Sequence, residues 1–371
     1  MKPRIYLDNA ATTPMDPLVM EEILPLMKDF TANPSSIHSD GRKAKVLIEN
    51  SRKKIAQLIN AAPAEVFFTS GGTEADNTVL FGTDRQVIIS SKMEHHAVLH
   101  SLDILEKLGK KILYIRNDDK GNIDLNHLEE LLKENNPALI SIMHSNNEIG
   151  NINPVEEIAK LAVENNALFH SDTVQTMGYF SIDTQTWGVD YLVGAGHKFY
   201  GPKGIGFLYA RAGKAVHPYM HGGSQERNMR GGTENIYGIV GIAKALEIAY
   251  ANLEKDAAYI LGLKRYFIEK LKLAVPNIQF NGLSGQMENA HYRLVNVLFP
   301  NRKDGDMLLF NLDIEGISAS GGSACSSGTS IGSHVLAELT DNLDGAAVRF
   351  SFSKYNTKEE IDRVIEVIRE E

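Results

Sequence analysis

The chain has 371 residues, of which 43% are hydrophobic and 23% charged. At about 150 residues per domain this is material for roughly two domains with a sizeable core, and the composition excludes an extensively disordered, collagen-like or coiled-coil chain. A formal net charge of -9 gives no support to nucleic acid or a membrane surface as partner, and the basic clusters at 42–45 and 52–54 read as a solvated helix face. The single cysteine, Cys325, excludes a disulfide within one chain and an all-cysteine metal cluster. No apolar run follows the first charged residues, and no stretch approaches the ~20 apolar residues of a membrane span, so a cytoplasmic location is expected.

In chain order, a helical segment is expected at 16–29. Short apolar runs then alternate with amphipathic ones: strands are predicted at 66–69, 87–89, 112–115, 138–143, 167–171, 190–193 and 206–209. Helices are predicted at 75–81, 124–134 and 154–164, the last two with leucine, isoleucine and alanine at three- and four-residue spacing. Pro154 opens its helix where a missing amide donor costs little. Such alternation means a mostly parallel α/β sheet. After Gly238 the texture changes to a long helical stretch, 239–273, then strands at 278–280, 294–299 and 348–352 and a closing helix at 358–371. That reads as a smaller α+β domain. The division expected is an amino-terminal segment 1–15, a large domain 16–250 whose helix 16–29 can pack with the small one, and a small domain 251–371.

Phosphate-loop, His-Glu-x-x-His and nucleophile-elbow motifs are absent, and the run 194–199 starts like a dinucleotide loop but lacks its final glycine. His96 and His100 sit four apart, as metal ligands or as two partly exposed helix residues; a third ligand at a telling spacing is missing. Ser70-Gly71-Gly72-Thr73-Glu74 lies between a strand and a helix, and is either an anion-holding turn at a helix amino end or a plain turn capped by Thr73. Asp172 follows a strand, where α/β sheets place ligand-binding groups and where a carboxylate also serves as a cap. Lys198 also follows a strand, among glycines, and a lysine so held can form a Schiff base with an aldehyde cofactor; the alternative is a solvated loop lysine. Cys325 has glycine, serine and threonine neighbours rather than the apolar ones of a buried thiol, which suits an exposed loop carrying a nucleophile.

Together these segments resemble the cysteine desulfurases, a branch of the class V aminotransferase group of pyridoxal-phosphate enzymes. The shared segments run nearly end to end: 6–14, 33–36, 69–77, Glu94-His95, 143–150, 170–178, 196–206, 220–233, 318–325 and 348–351. The resemblance implies a fold-type-I α/β architecture. Its large domain is built on a seven-stranded, mainly parallel sheet and binds the cofactor; its small α+β domain carries the catalytic cysteine loop; and it forms a homodimer with sites at the subunit interface.

It also implies roles. Lys198 is the Schiff-base residue, Asp172 pairs with the pyridine nitrogen, Gln175 bonds the ring hydroxyl, and His95 stacks on the ring and joins Lys198 and Cys325 as catalytic. Gly72, Thr73, His197 and, from the neighbouring subunit, Thr233 hold the phosphate of pyridoxal 5'-phosphate. Asn147 and Arg349 orient the substrate, a guanidinium fork being the natural partner of an amino-acid carboxylate. Cys325 takes the sulfur, and the interval to Val335 resembles the long catalytic loop of the housekeeping branch.

The implied reaction converts L-cysteine to L-alanine: the Lys198 amine removes the α proton and the Cys325 thiolate attacks the substrate sulfur to become a persulfide. The sulfur then serves iron-sulfur cluster, cofactor or tRNA biosynthesis through an acceptor protein. Selenocysteine lyase, or another lyase or aminotransferase reaction on the same cofactor, is the alternative. Two departures stand out. Ala195 replaces the serine of the family's usual Ser-Gly-His-Lys, which removes one phosphate contact. The sequence also ends at Glu371, where long-loop relatives often carry a tail that helps dock an iron-sulfur scaffold, so the resemblance leaves that docking open.

Overall fold

The computed structural model describes residues 4–214, 216–300, 305–321, 332–339 and 345–370. Strand β1 (Ile5–Tyr6) and helices α1 (Pro17–Asp29) and α2 (Ser39–Leu58) precede the first sheet. In that sheet, β2 (Val66–Thr69), β3 (Val87–Ser90), β4 (Lys111–Tyr114), β5 (Ala138–Ser141), β6 (Leu168–Asp172), β7 (Tyr191–Ala195) and β8 (Gly206–Ala210) lie in the order β2-β8-β7-β6-β5-β3-β4. The four pairs from β7 through to β4 are parallel, and β8 runs antiparallel to both β7 and β2. Every residue of β5, β6, β7 and β8 is buried. That is why these strands read as continuous apolar runs rather than as alternation.

Helices α3 (Gly72–Gly82), α4 (His96–Lys107), α5 (Leu125–Glu134), α6 (Val155–Glu164) and the short α7 (Thr184–Trp187) fill the crossovers. Pro154 caps α6 from outside rather than opening it, and α3 begins at Gly72, ahead of the expected Ala75. The long helical stretch is two helices, α8 (Ile236–Ala251) and α9 (Leu253–Ala274), at 75° to each other. Asn252, with φ -116° and ψ 11°, is the non-helical joint. No single helix among the described residues is long and apolar enough to cross a membrane.

A second sheet, β9 (Gln279–Phe280), β10 (Leu294–Phe299) and β12 (Ala346–Ser351), is antiparallel in the order β12-β10-β9. Helix α10 (Lys358–Glu370) packs beside α9, and β11 (Ile317–Ser318) pairs in parallel with β1. The amino-terminal segment thus ties the two sheets: Asp8 bridges to Ser351, and Ser351 donates its amide to Leu7 O at 2.7 Å.

The basic clusters on α2 are not one solvated face. Arg42, Lys43 and Lys45 are exposed. Arg52 is buried, forks onto Glu226 at 2.7 and 2.8 Å and lies 4.8 Å from the Phe68 ring centre. The spacing of a helix puts position 52 on the inner side, and a planar guanidinium can bond a carboxylate and stack on a ring there.

Candidate active site

In α/β sheets ligands bind beyond the carboxyl ends of the parallel strands. Here the chain leaving β2 supplies Gly72 and Thr73, the chain leaving β3 His95, that leaving β5 Asn147, β6 ends in Asp172 followed by Gln175, and the chain leaving β7 carries His197 and Lys198. All line one cavity of about 260 Å³. Ala10, Ala11 and Arg349 close it from the other sheet's side. Nine of the eleven residues expected at the site therefore converge there. Thr233 lines a separate cavity and is exposed, and Cys325 lies outside the described residues.

Lys198 donates to Ala10 O at 2.7 Å and Ala11 O at 2.9 Å. Burial, then the positive charges of Arg349 and Arg293, lower its pKa to about 7, so near neutrality a large share of it is free amine. Asp172 goes the other way. Burial and the neighbouring Asp76 raise its pKa to about 7, while its oxygen accepts the Val174 amide at 2.8 Å. A carboxylate so desolvated gains most from a cationic N–H partner.

His95 caps α4, its Nδ1 accepting the Ala97 amide at 3.2 Å, and burial together with Lys198 lowers its pKa to about 4. It is a neutral ring at physiological pH. His197 is depressed to about 4 likewise, by burial and then by Lys198 and Lys203, and its Nδ1 lies 3.1 Å from Thr12 Oγ1. Gln175 donates Nε2 to Ala10 O at 3.1 Å and accepts at Oε1 from Arg293 at 2.5 Å.

Arg349, 1% exposed, donates to Asn147 O at 2.8 Å and to Asp8 at 2.9 Å. Its Nε, like Asn147 Oδ1, is buried with no partner among the described residues. Buried polar groups are rarely left so, and both lie on residues lining the cavity. At Gly72 a Cβ would come within 2.7 Å of Val174 Cγ2, so the turn needs glycine to lie this close to the chain leaving β6. Gly72 and Thr73, at the amino end of α3, line the same cavity as His197, and a helix amino end favours an anion.

Sequence reasoning passed over several lining residues. Asp76 is one turn from Gly72 on α3, buried, with its pKa raised to about 8 by burial. Its spacing of four from the glycine is the signal that was available. Ala10 and Ala11 act through carbonyls, which no side-chain pattern reveals. His96 and His100 stack at 4.8 Å, and no group of three ligands able to hold a metal occurs among the described residues.

The aminotransferase class-V family model matches residues 5–364. The chain therefore belongs to the class-V aminotransferase family, a family of pyridoxal-phosphate enzymes. Within it the similarity is to cysteine desulfurases. The chain is 43% identical to cysteine desulfurase IscS of Dictyoglomus turgidum, covering 99% of this chain and 94% of the relative, and 42% identical to that of Methanosarcina thermophila, covering 99% and 91%. Among solved structures, a NifS-like protein superposes with a TM-score of 0.90 at 35% identity over 99% and 98% of the two chains. SspA in complex with cysteine superposes with 0.81 at 32% identity over 95% and 100%.

The site's residues fit pyridoxal phosphate. The amino end of α3 suits a phosphate, the neutral His95 ring a stacked pyridine, the desolvated Asp172 a protonated ring nitrogen, and the Lys198 amine an aldehyde.

Proposed function

We propose that the chain is a pyridoxal-phosphate-dependent cysteine desulfurase that converts L-cysteine to L-alanine and carries the sulfur on Cys325. The observation that carries this reading is the meeting of a Lys198 amine, a buried Asp172 and an under-bonded Arg349 in one cavity. Gly72, Thr73 and His197 hold the phosphate, Asp172 the ring nitrogen, Gln175 the ring hydroxyl and His95 the ring face. The cofactor, when bound, supplies a sink for the electrons left when the substrate's Cα–H bond breaks. Arg349 and Asn147 orient the substrate carboxylate, and Lys198 Nζ receives the α proton. The Cys325 thiolate attacks the substrate sulfur, a sulfur–sulfur bond forming as the carbon–sulfur bond breaks, and reprotonation yields alanine.

The reading extends to a homodimer, in which Thr233, away from the cavity of its own chain, serves a second copy. It extends also to the division at 15 and 250, supported by one sheet confined to 66–210 and another to 279–351. A sulfur-acceptor protein in the cytoplasm, serving iron-sulfur cluster or other sulfur-containing cofactor assembly, completes it.

Borohydride reduction of the cofactor-loaded protein followed by peptide mapping tests the site: the adduct is expected on Lys198, and an adduct on Lys203 or none at all overturns the assignment. With dithiothreitol added to reduce the persulfide, cysteine-dependent release of sulfide and alanine in equal amounts tests the reaction.

A further inference from the structure

We propose that Arg293, immediately before β10, is a positioning residue of this site: its guanidinium fixes the Gln175 amide and the main chain of Lys198, and sets a buried positive charge against that lysine. The inference rests on the roles of Gln175 and Lys198 given above. Arg293 is wholly buried, 0% exposed. It donates from Nη2 to Gln175 Oε1 at 2.5 Å and from Nη1 to Lys198 O at 3.2 Å, and lies 3.9 Å from the Tyr179 ring centre. Tyr179 in turn donates its hydroxyl to Lys198 O at 2.9 Å.

Guanidinium has donors and no acceptor. Gln175 must therefore present its oxygen to Arg293, and its amide nitrogen falls on the Ala10 side. One N–H meets Ala10 O, and Gln175 itself lines the cavity. Ala10 O also accepts from Lys198 Nζ, so Arg293 grips the lysine at both ends, directly at its carbonyl and through Gln175 and Ala10 at its amine. Without the guanidinium the amide could turn over and offer its oxygen to the cavity, where the ring hydroxyl needs a donor.

Among the described residues Arg293 bonds no carboxylate, and its Nε has no partner. The Tyr179 ring face rather than a carboxylate meets its charge, and a neutral amide would have made the same bond to Gln175. The charge is therefore the distinguishing feature. The charged or titratable groups bearing on Lys198 are Arg293, Arg349 from β12, Asp172 from β6, Asp8 from the amino-terminal segment, and His95 and His197 beside it. Both histidines are neutral near pH 7, so the two arginines oppose the two carboxylates.

Two variants separate the two roles. Arg293→Gln keeps a donor for Gln175 and removes the charge; Arg293→Lys keeps the charge and removes the fork. In the cofactor-free protein, competitive acetylation read at the Lys198 peptide across pH gives the amine's midpoint. Arg293→Gln is expected to raise it by roughly one unit, and Arg293→Lys to leave it at the parent value. Titration of apo protein with pyridoxal 5'-phosphate gives affinity, which Arg293→Lys is expected to lower roughly ten-fold. A merely structural arginine would not move the midpoint. An unchanged midpoint in a folded Arg293→Gln, or parent-like affinity in Arg293→Lys, overturns the proposal, and should the glutamine variant not fold, the lysine variant decides it. Failure of the site reading shows elsewhere, as a parent protein that takes no cofactor on Lys198, because the midpoint is measured without cofactor.

Discussion

Arg349 meets Asp8 and the Asn147 carbonyl with two nitrogens and leaves the third without a partner, which is the geometry of a group waiting for an anion. Truncating one side of a desolvated charge pair typically costs about 2 to 5 kcal/mol. Arg349→Ala is therefore expected to raise the cysteine KM sharply while the bound cofactor's absorbance persists; loss of colour without a selective change in KM would make Arg349 a strut between β12 and the amino-terminal segment. Ala195 stands on the cavity wall beside His197. Ala195→Ser restores a hydroxyl there, and at about 0.5 to 1.5 kcal/mol per hydrogen bond the variant should retain cofactor longer on dialysis. Retention no better than the parent's would show that another group already meets the phosphate. Lys198, Asp172 and Thr73 were legible from sequence because each follows a strand, a position that α/β topology reserves for ligands. Arg293 was not. A lone arginine ahead of a short strand looks like a surface residue, and only the fold reveals that it faces Gln175.

At the scale of elements, the fully buried strands β5, β6 and β7 were legible because burial on both faces leaves an unbroken apolar run, whereas the reversal of β8 was not, since a strand's direction leaves no mark in composition. The joint at Asn252 was missed for a related reason: neither proline nor glycine marks it, and the residues of both helices around it are mostly helix formers. The second of these, α9, carries Lys264, 0% exposed, whose ammonium donates to His291 O at 3.1 Å. Burial lowers its pKa to about 7 from an ordinary 10.5. Between those values the folded chain holds fewer protons than the unfolded one, so this lysine's contribution to stability rises with pH from about 7 to 10, and its penalty is complete below 7. Lys264→Met removes the penalty. It is expected to stabilise the protein by roughly 1 to 3 kcal/mol at pH 6 and by less at pH 9, read from urea unfolding. Asp76 and Asp172 titrate in the opposite sense, but they are common to both proteins and cancel in the comparison. An equal gain at both pH values would mean that packing, not charge, decides the effect.

For the whole molecule, the acidic excess is partly internal: among the described residues nine carboxylate side chains and four basic ones are buried. The surface field that a partner meets is thus weaker than the net charge of -9 suggests. The two sheets meet at the cavity, and both described flanks of the segment containing Cys325 are fastened to its wall. Ser320 exchanges backbone hydrogen bonds with Arg349 at 2.7 and 3.2 Å. On the far side Ser333 donates to Glu148 at 2.5 Å and His334 Nε2 lies 2.9 Å from Glu94 O, next to Asn147 and His95 respectively. Cys325→Ser separates the cofactor's chemistry from the sulfur's: Lys198 Nζ still takes the α proton and Arg349 still binds the carboxylate, so cysteine should still change the bound cofactor's spectrum, whereas a serine hydroxyl is far less nucleophilic near neutral pH and cannot take the sulfur. Sulfide release is expected to fall to background while cysteine binding survives. A variant that releases sulfide at close to the parent rate would show that the thiol leaves by elimination, with no enzyme persulfide between substrate and product.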